Sequence, residues 1–379
     1  MDTPFGARSS IDWSVAQRVG EMLSGGAAYP APQAGEGPES PPGAGAGGIE
    51  RSPRAGTGGV QALAEDFAAR VSSYARLPLS GPIPEIEPID RARWIEANIA
   101  TMRPLLDPLT TRIGRGSGPL APALRSTTQL LLGAQVGAVT GVLSQRVLGQ
   151  YDISLLDPER TPRLLLLEPN IVQAADALQL DRDEFTSWVA IHEVTHAVQF
   201  GGAPWLREHL GGMLRELLDG MQVGMRIGSM PRIPGGDDLR SLISRLRGGE
   251  LLRIGLGEER WSLVDQMQAT MSLIEGHAEH VMDAVGAEVL PSLERMRAAM
   301  TRRRRNRAWP WRILERLLGL EMKMRQYELG RGFCDQVVEI GGPPALARAF
   351  ESSAMLPSSD ELQNPQRWLE RTHVPSVTS

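Results

Sequence analysis

Two histidines four residues apart, with a glutamate directly after the first, form His192-Glu193-Val194-Thr195-His196. On a helix this H-E-x-x-H spacing sets both imidazoles on one face, one turn apart. Two ring nitrogens so placed can reach one zinc ion at about 2.0 to 2.1 Å. Glu193 stands about 100° around the helix from His192, beside the metal, where a carboxylate can take a proton from a metal-activated water. The chain contains six histidines, and a chance H-E-x-x-H is then expected on the order of 0.01 times or less. The alternative is a pair of histidines hydrogen-bonded on a buried helix. A catalytic zinc also needs a third protein ligand and one open position. Met271 to Ala284 is the one good source: Glu275, Glu279 and Asp283 recur at i, i+4 and i+8, with His277 and His280 on other faces. Such spacing in isolation reads as a solvated acidic face. Its apolar flanks, Leu273, Ile274, Val281 and Met282, and the partner segment favour a ligand-bearing helix.

These residues need elements to hold them. Asp181 or Asp183 can cap a helix whose stripe is Phe185, Trp188, Val189 and Ile191 and which Gly201-Gly202 ends. Residues 1–23 contain a short N-terminal helical segment, and 24–59 are so rich in Gly, Pro, Ala and Ser that they read as a flexible linker. Residues 60–375 make up the remaining domain. Within it Val60 to Leu77 is helical, Asp90 can cap a helix carrying Trp94, Ile95, Ile99 and Met102, and Arg163 to Leu167 has the length and bounding prolines of a brief strand. Leu130 to Leu143 is the most apolar run, too short for a bilayer. Gly133, Gly137 and Gly141 clear one of its faces, and it reads as a tightly packed central helix.

The 379 residues carry a formal charge of -5, which lacks the basic footprint of a nucleic-acid binder. Arg302 to Arg305, with Arg307, Trp309 and Trp311, could touch phosphates, but reads as a solvated loop. Cys334 is the single cysteine, so no intrachain disulfide can form, and its apolar setting suggests a core residue. The N-terminus has no basic and apolar leader, so the expected address is the cytoplasm.

The pairing of His192-Glu193-x-x-His196 with Glu275-Gly276-His277-Ala278-Glu279 resembles the gluzincin pattern. That resemblance implies Glu275 as third ligand and Glu279 as the acid that orients a ligand histidine, in place of the usual Asp. The metzincin pattern is not met, because Gln199 stands where it has a glycine and Gly202 where it has a third histidine. More narrowly, the stretches at 133–153, 168–171 (EPNI), 192–200 (HEVTHAVQF), 275–283 (EGHAEHVMD) and 322–333 (MKMRQYELGRGF) are similar to a zincin-like metallopeptidase family. That family is widespread in high-GC bacteria and is associated with deazaflavin coenzyme biosynthesis, an association that specifies no reaction. The resemblance implies a mainly α, zincin-like helical fold with a small β element near the active-site helix. It also makes Tyr327 a candidate to hold the oxyanion, with core packing of its ring as the alternative. The expected function is hydrolysis of a peptide or protein substrate by a Zn2+-activated water with Glu193 as general base. The alternatives are a metal-stabilised scaffold without turnover and a hydrolase of non-peptide amides.

Overall fold

The computed structural model describes residues 9–25, 57–110, 121–224, 258–305 and 320–373. The expected linker falls outside them except at its two ends, and so do Arg307, Trp309 and Trp311. The fold is mainly α with one small sheet. In chain order come α1 (Trp13–Ser24), α2 (Thr57–Ala75), β1 (Ile86–Ile89), α3 (Arg91–Thr110), α4 (Ala121–Ser144), β2 (Gly149–Asp152), β3 (Arg163–Leu167), α5 (Glu168–Leu178), α6 (Arg182–Gly202) and α7 (Trp205–Gly224). Next are α8 (Glu258–Val289), α9 (Leu293–Arg305), α10 (Leu320–Ala347), two single 3-10 turns, and the short α11 (Ser359–Gln363) and α12 (Pro365–Arg371). Among the described residues, no helix is long and apolar enough to cross a membrane.

The centre of the molecule is α6. Asp181 caps it by accepting from the backbone N–H of Asp183 and Glu184, at 3.0 and 2.9 Å. Asp183 and Glu184 in the first turn complement the positive end of the helix dipole. Residues 188–191 and 193–199 are then buried without a break, so the helix is enclosed on all sides. It packs against α2, α5 and α8, and the main core runs through Phe185, Ile191, Val194, Leu273, Ile274, Val281, Phe333 and Trp368.

The placement of α4 differs from the sequence-based expectation. Leu130 and Leu131 are 50% and 57% exposed, and the helix belongs to a second, smaller cluster with Ile11, Trp13, Ala16, Trp94 and Ile95. Its apolar composition does not report that only one side is covered. The glycine face does what its spacing requires: a methyl on Gly133 or Gly137 would overlap the carbonyl of Asp12 or Ala16, and one on Gly141 would lie 2.5 Å from Gly20 O. The α1 and α4 backbones are therefore in direct contact.

The sheet has order β1-β3-β2, with β1 parallel and β2 antiparallel to β3. Leu164 to Leu167 of β3 are all buried, as expected of a strand covered on both faces. Among the described residues β2 has a partner on one edge alone. Its approach is set by Asn170 at the start of α5, which donates to Ser144 O at 2.7 Å and Val147 O at 2.6 Å and accepts from Arg91 at 2.7 Å. Its far end is tied by Asp152, 2% exposed, which accepts from Arg160 and Arg163 at 2.8 Å each. A buried carboxylate held by two guanidiniums fixes the strand ends firmly.

Candidate metal centre

His192 and His196 lie one turn apart on α6, and α8 crosses α6 so that Glu275 faces them both. His192 Nε2 and His196 Nε2 are 3.2 Å apart, and Glu275 Oε2 is 3.8 Å from each. Among the described residues, one ligand atom from each of these three side chains falls within 4.8 Å of the others. Around a tetrahedral ion with bonds of about 2.0 to 2.1 Å, ligand atoms stand about 3.3 Å apart. The observed separations suit a zinc-sized ion with little adjustment. Two imidazoles and one carboxylate are also the donor set of catalytic zinc, which keeps a fourth position open. The close approach of α8 to its other neighbour is set by glycine. A methyl on Gly276 would overlap the backbone of Gly330 in α10, and one on Gly330 the carbonyl of Ser272.

Glu193 lies under β2. Its Oε2 accepts the Tyr151 N–H at 2.8 Å, and a methyl built on Gly149 would come within 2.7 Å of its Cγ and 2.8 Å of Oε1. Burial pushes its carboxyl up to about 7; His196 and the Tyr151 N–H act against that rise, and the Glu275 charge adds to it. A divalent cation beside it would pull the value back down. Tyr151 is itself pushed up to about 12 by burial, and its ring packs 5.8 Å from Phe200.

Behind the histidines is a polar chain that spacing did not expose. Gln199, fully buried, meets His196 Nδ1 with its Oε1 at 2.8 Å. Its Nε2 donates to Ile274 O and to His277 Nδ1, both at 2.8 Å. His277 is 1% exposed and is pushed down to about 3 by burial, helped by the nearby His280 and His196, so its ring is neutral. Gln199 is three residues past His196 on the same helix face, a spacing that marks it as a neighbour of the ligand. The link to His277 depends on how α6 meets α8, and no local pattern carries that.

The remaining candidates are placed as follows. Glu279, expected to orient a ligand histidine, lies one turn past Glu275 with its Oε2 3.9 Å from Arg331 Nη1, and Gln199 takes the second nitrogen of His196. His280 donates or accepts between Tyr74 Oη at 2.8 Å and Asp335 Oδ1 at 2.7 Å. Cys334 is wholly buried and its thiol is pushed well up by burial, which fits a core residue. Tyr327 is in α10, but its side chain is outside the described residues.

The family model for zincin-like metallopeptidases matches residues 44–369. The chain is also similar to a crystal structure from Chloroflexus aurantiacus, presented as a candidate hydrolase with a novel fold. The two share 29% identity with a TM-score of 0.62, over 96% of this chain and 99% of that one. No curated protein matches. The matched stretch takes in both helices that carry the histidines and Glu275 as well as the strand over Glu193, and the chain belongs to the zincin-like metallopeptidase family.

Proposed function

We propose that the protein is a zinc-dependent peptidase in which His192, His196 and Glu275 hold the metal and Glu193 is the general base. Family membership implies a divalent metal. The observation that carries the reading is the convergence of His192, His196 and Glu275 from two helices, with the Glu193 carboxylate beside them and a strand edge above. A zinc ion held there supplies both activation of water and polarisation of the scissile carbonyl. Glu193 is shielded from bulk water and held by the Tyr151 N–H, so its carboxylate is aimed before substrate arrives. It takes the proton from the attacking water and can return it to the leaving amine. The edge of β2 supports a peptide over other amides, because among the described residues it has no strand partner, and an extended peptide can add to such an edge as a further strand.

The test is zinc content and turnover on a peptide library for wild type, Glu193→Gln and Glu275→Ala. Glu193→Gln should keep its zinc and lose about 10² to 10⁴ in turnover, the usual cost of removing a general base. Glu275→Ala should lose the metal. Wild-type protein that binds zinc and cleaves no peptide, or unchanged turnover in Glu193→Gln, would overturn the reading.

A further inference from the structure

We infer that Gln199 is the positioning residue of the metal centre: it fixes which ring nitrogen of His196 carries the proton and ties that choice to the helix bearing Glu275. The inference rests on the reading of His196 and Glu275 as ligands. Its logic is that of obligate partners. A backbone carbonyl can only accept, so the Gln199 group 2.8 Å from Ile274 O must be the NH₂ end of the amide. The oxygen end is thereby turned to His196 Nδ1, at 2.8 Å. An amide oxygen also can only accept, so His196 Nδ1 bears the hydrogen and Nε2 is left with the bare lone pair that a metal requires. The second N–H of Gln199 points at His277 Nδ1, at 2.8 Å, and that nitrogen must accept.

Both anchors of the amide, Ile274 and His277, sit on α8 on either side of Glu275 in sequence. One buried side chain from α6 thus sets the tautomer of one ligand and the register of the helix that brings another. The facing nitrogens of His192 and His196 are 3.2 Å apart, the separation of two ligands on one zinc-sized ion. A neutral amide in this place, instead of a carboxylate, orients the ring without adding negative charge behind it. The ligand set then leaves a divalent ion with one net positive charge from two neutral imidazoles and one carboxylate.

The experiment reads ring-nitrogen NMR shifts of ¹⁵N-histidine-labelled, metal-free full chain, together with zinc affinity by chelator competition. Wild type should show His196 protonated at Nδ1. Gln199→Leu, close in size, should lose that preference and bind zinc about 10 to 100-fold more weakly. Gln199→Glu restores an acceptor for His196 but leaves Ile274 O without its donor, so it should recover the tautomer and only part of the affinity. A wild-type His196 protonated at Nε2 would overturn the inference without any variant having to fold. So would Gln199→Leu with wild-type affinity, or failure of Gln199→Glu to recover the tautomer. Activity enters neither measurement, so an inactive wild type would sink the peptidase reading and leave this one to be decided by the shifts and the affinity.

Discussion

At the scale of single residues, the proposed general base is only as good as what stops it moving. Glu193 is boxed by the Tyr151 N–H on one side and by the bare Cα of Gly149 on the other. Gly149→Ala puts a carbon where the Glu193 side chain lies, so the carboxylate has to move while the two histidines stay in place. Zinc content should therefore be unchanged and kcat/KM should fall roughly 10²-fold, since a misplacement of about 1 Å can cost that much. Steady-state kinetics with metal analysis on the same sample checks both halves. His192, Glu193 and His196 could be picked out from the sequence because their relation is local, within one helical turn, and Glu275 through the resemblance to the gluzincin pattern. Gly149 and the tie from Gln199 to α8 could not, since each acts on an element distant in sequence. A glycine in a short strand and a glutamine on a buried helix have no signature of their own.

At the scale of elements, the glycines decide how near the helices come. Gly137 of α4 lies directly against the carbonyl of Ala16 in α1, and a methyl there cannot be absorbed by turning a side chain. Gly137→Ala should destabilise the protein by about 1 to 3 kcal/mol, the range for overpacking, read as a lowered denaturant midpoint. Gly212→Ala is the matched control: it sits in α7 with nothing within 4 Å of the new carbon. That change should be neutral or stabilising by up to about 1 kcal/mol. The four-residue glycine spacing predicted a close helix contact correctly, and the brief strand at Arg163–Leu167 and the caps at Asp90 and Asp181 were legible too. The depth was misjudged. The helix expected at the centre lies to one side, and α6, chosen for its chemistry, is the one enclosed all round. Periodicity tells which face is apolar and says nothing of how many neighbours will cover it.

At the scale of the whole molecule, the proposed metal site would join two long helices that the chain itself connects only distantly. Ligand that binds the folded state alone adds RT ln(1 + [L]/Kd), about 4 kcal/mol at a thousandfold excess over Kd. Zinc should therefore raise the melting temperature of chelator-treated protein, and Glu275→Ala should abolish that rise; a thermal melt with and without zinc checks it. Roughly 80 residues separate His196 from Glu275, a span for which a permanent cross-link would restrict the unfolded chain by about 4 kcal/mol. With Cys334 as its single cysteine, the chain cannot make such a link from sulfur. An ion shared between α6 and α8, as proposed, would be a staple of another kind, indifferent to reductants and opened by chelators. The lifetime of the folded enzyme would follow the free zinc around it, so scarcity of the metal would both silence the catalyst and mark it for removal.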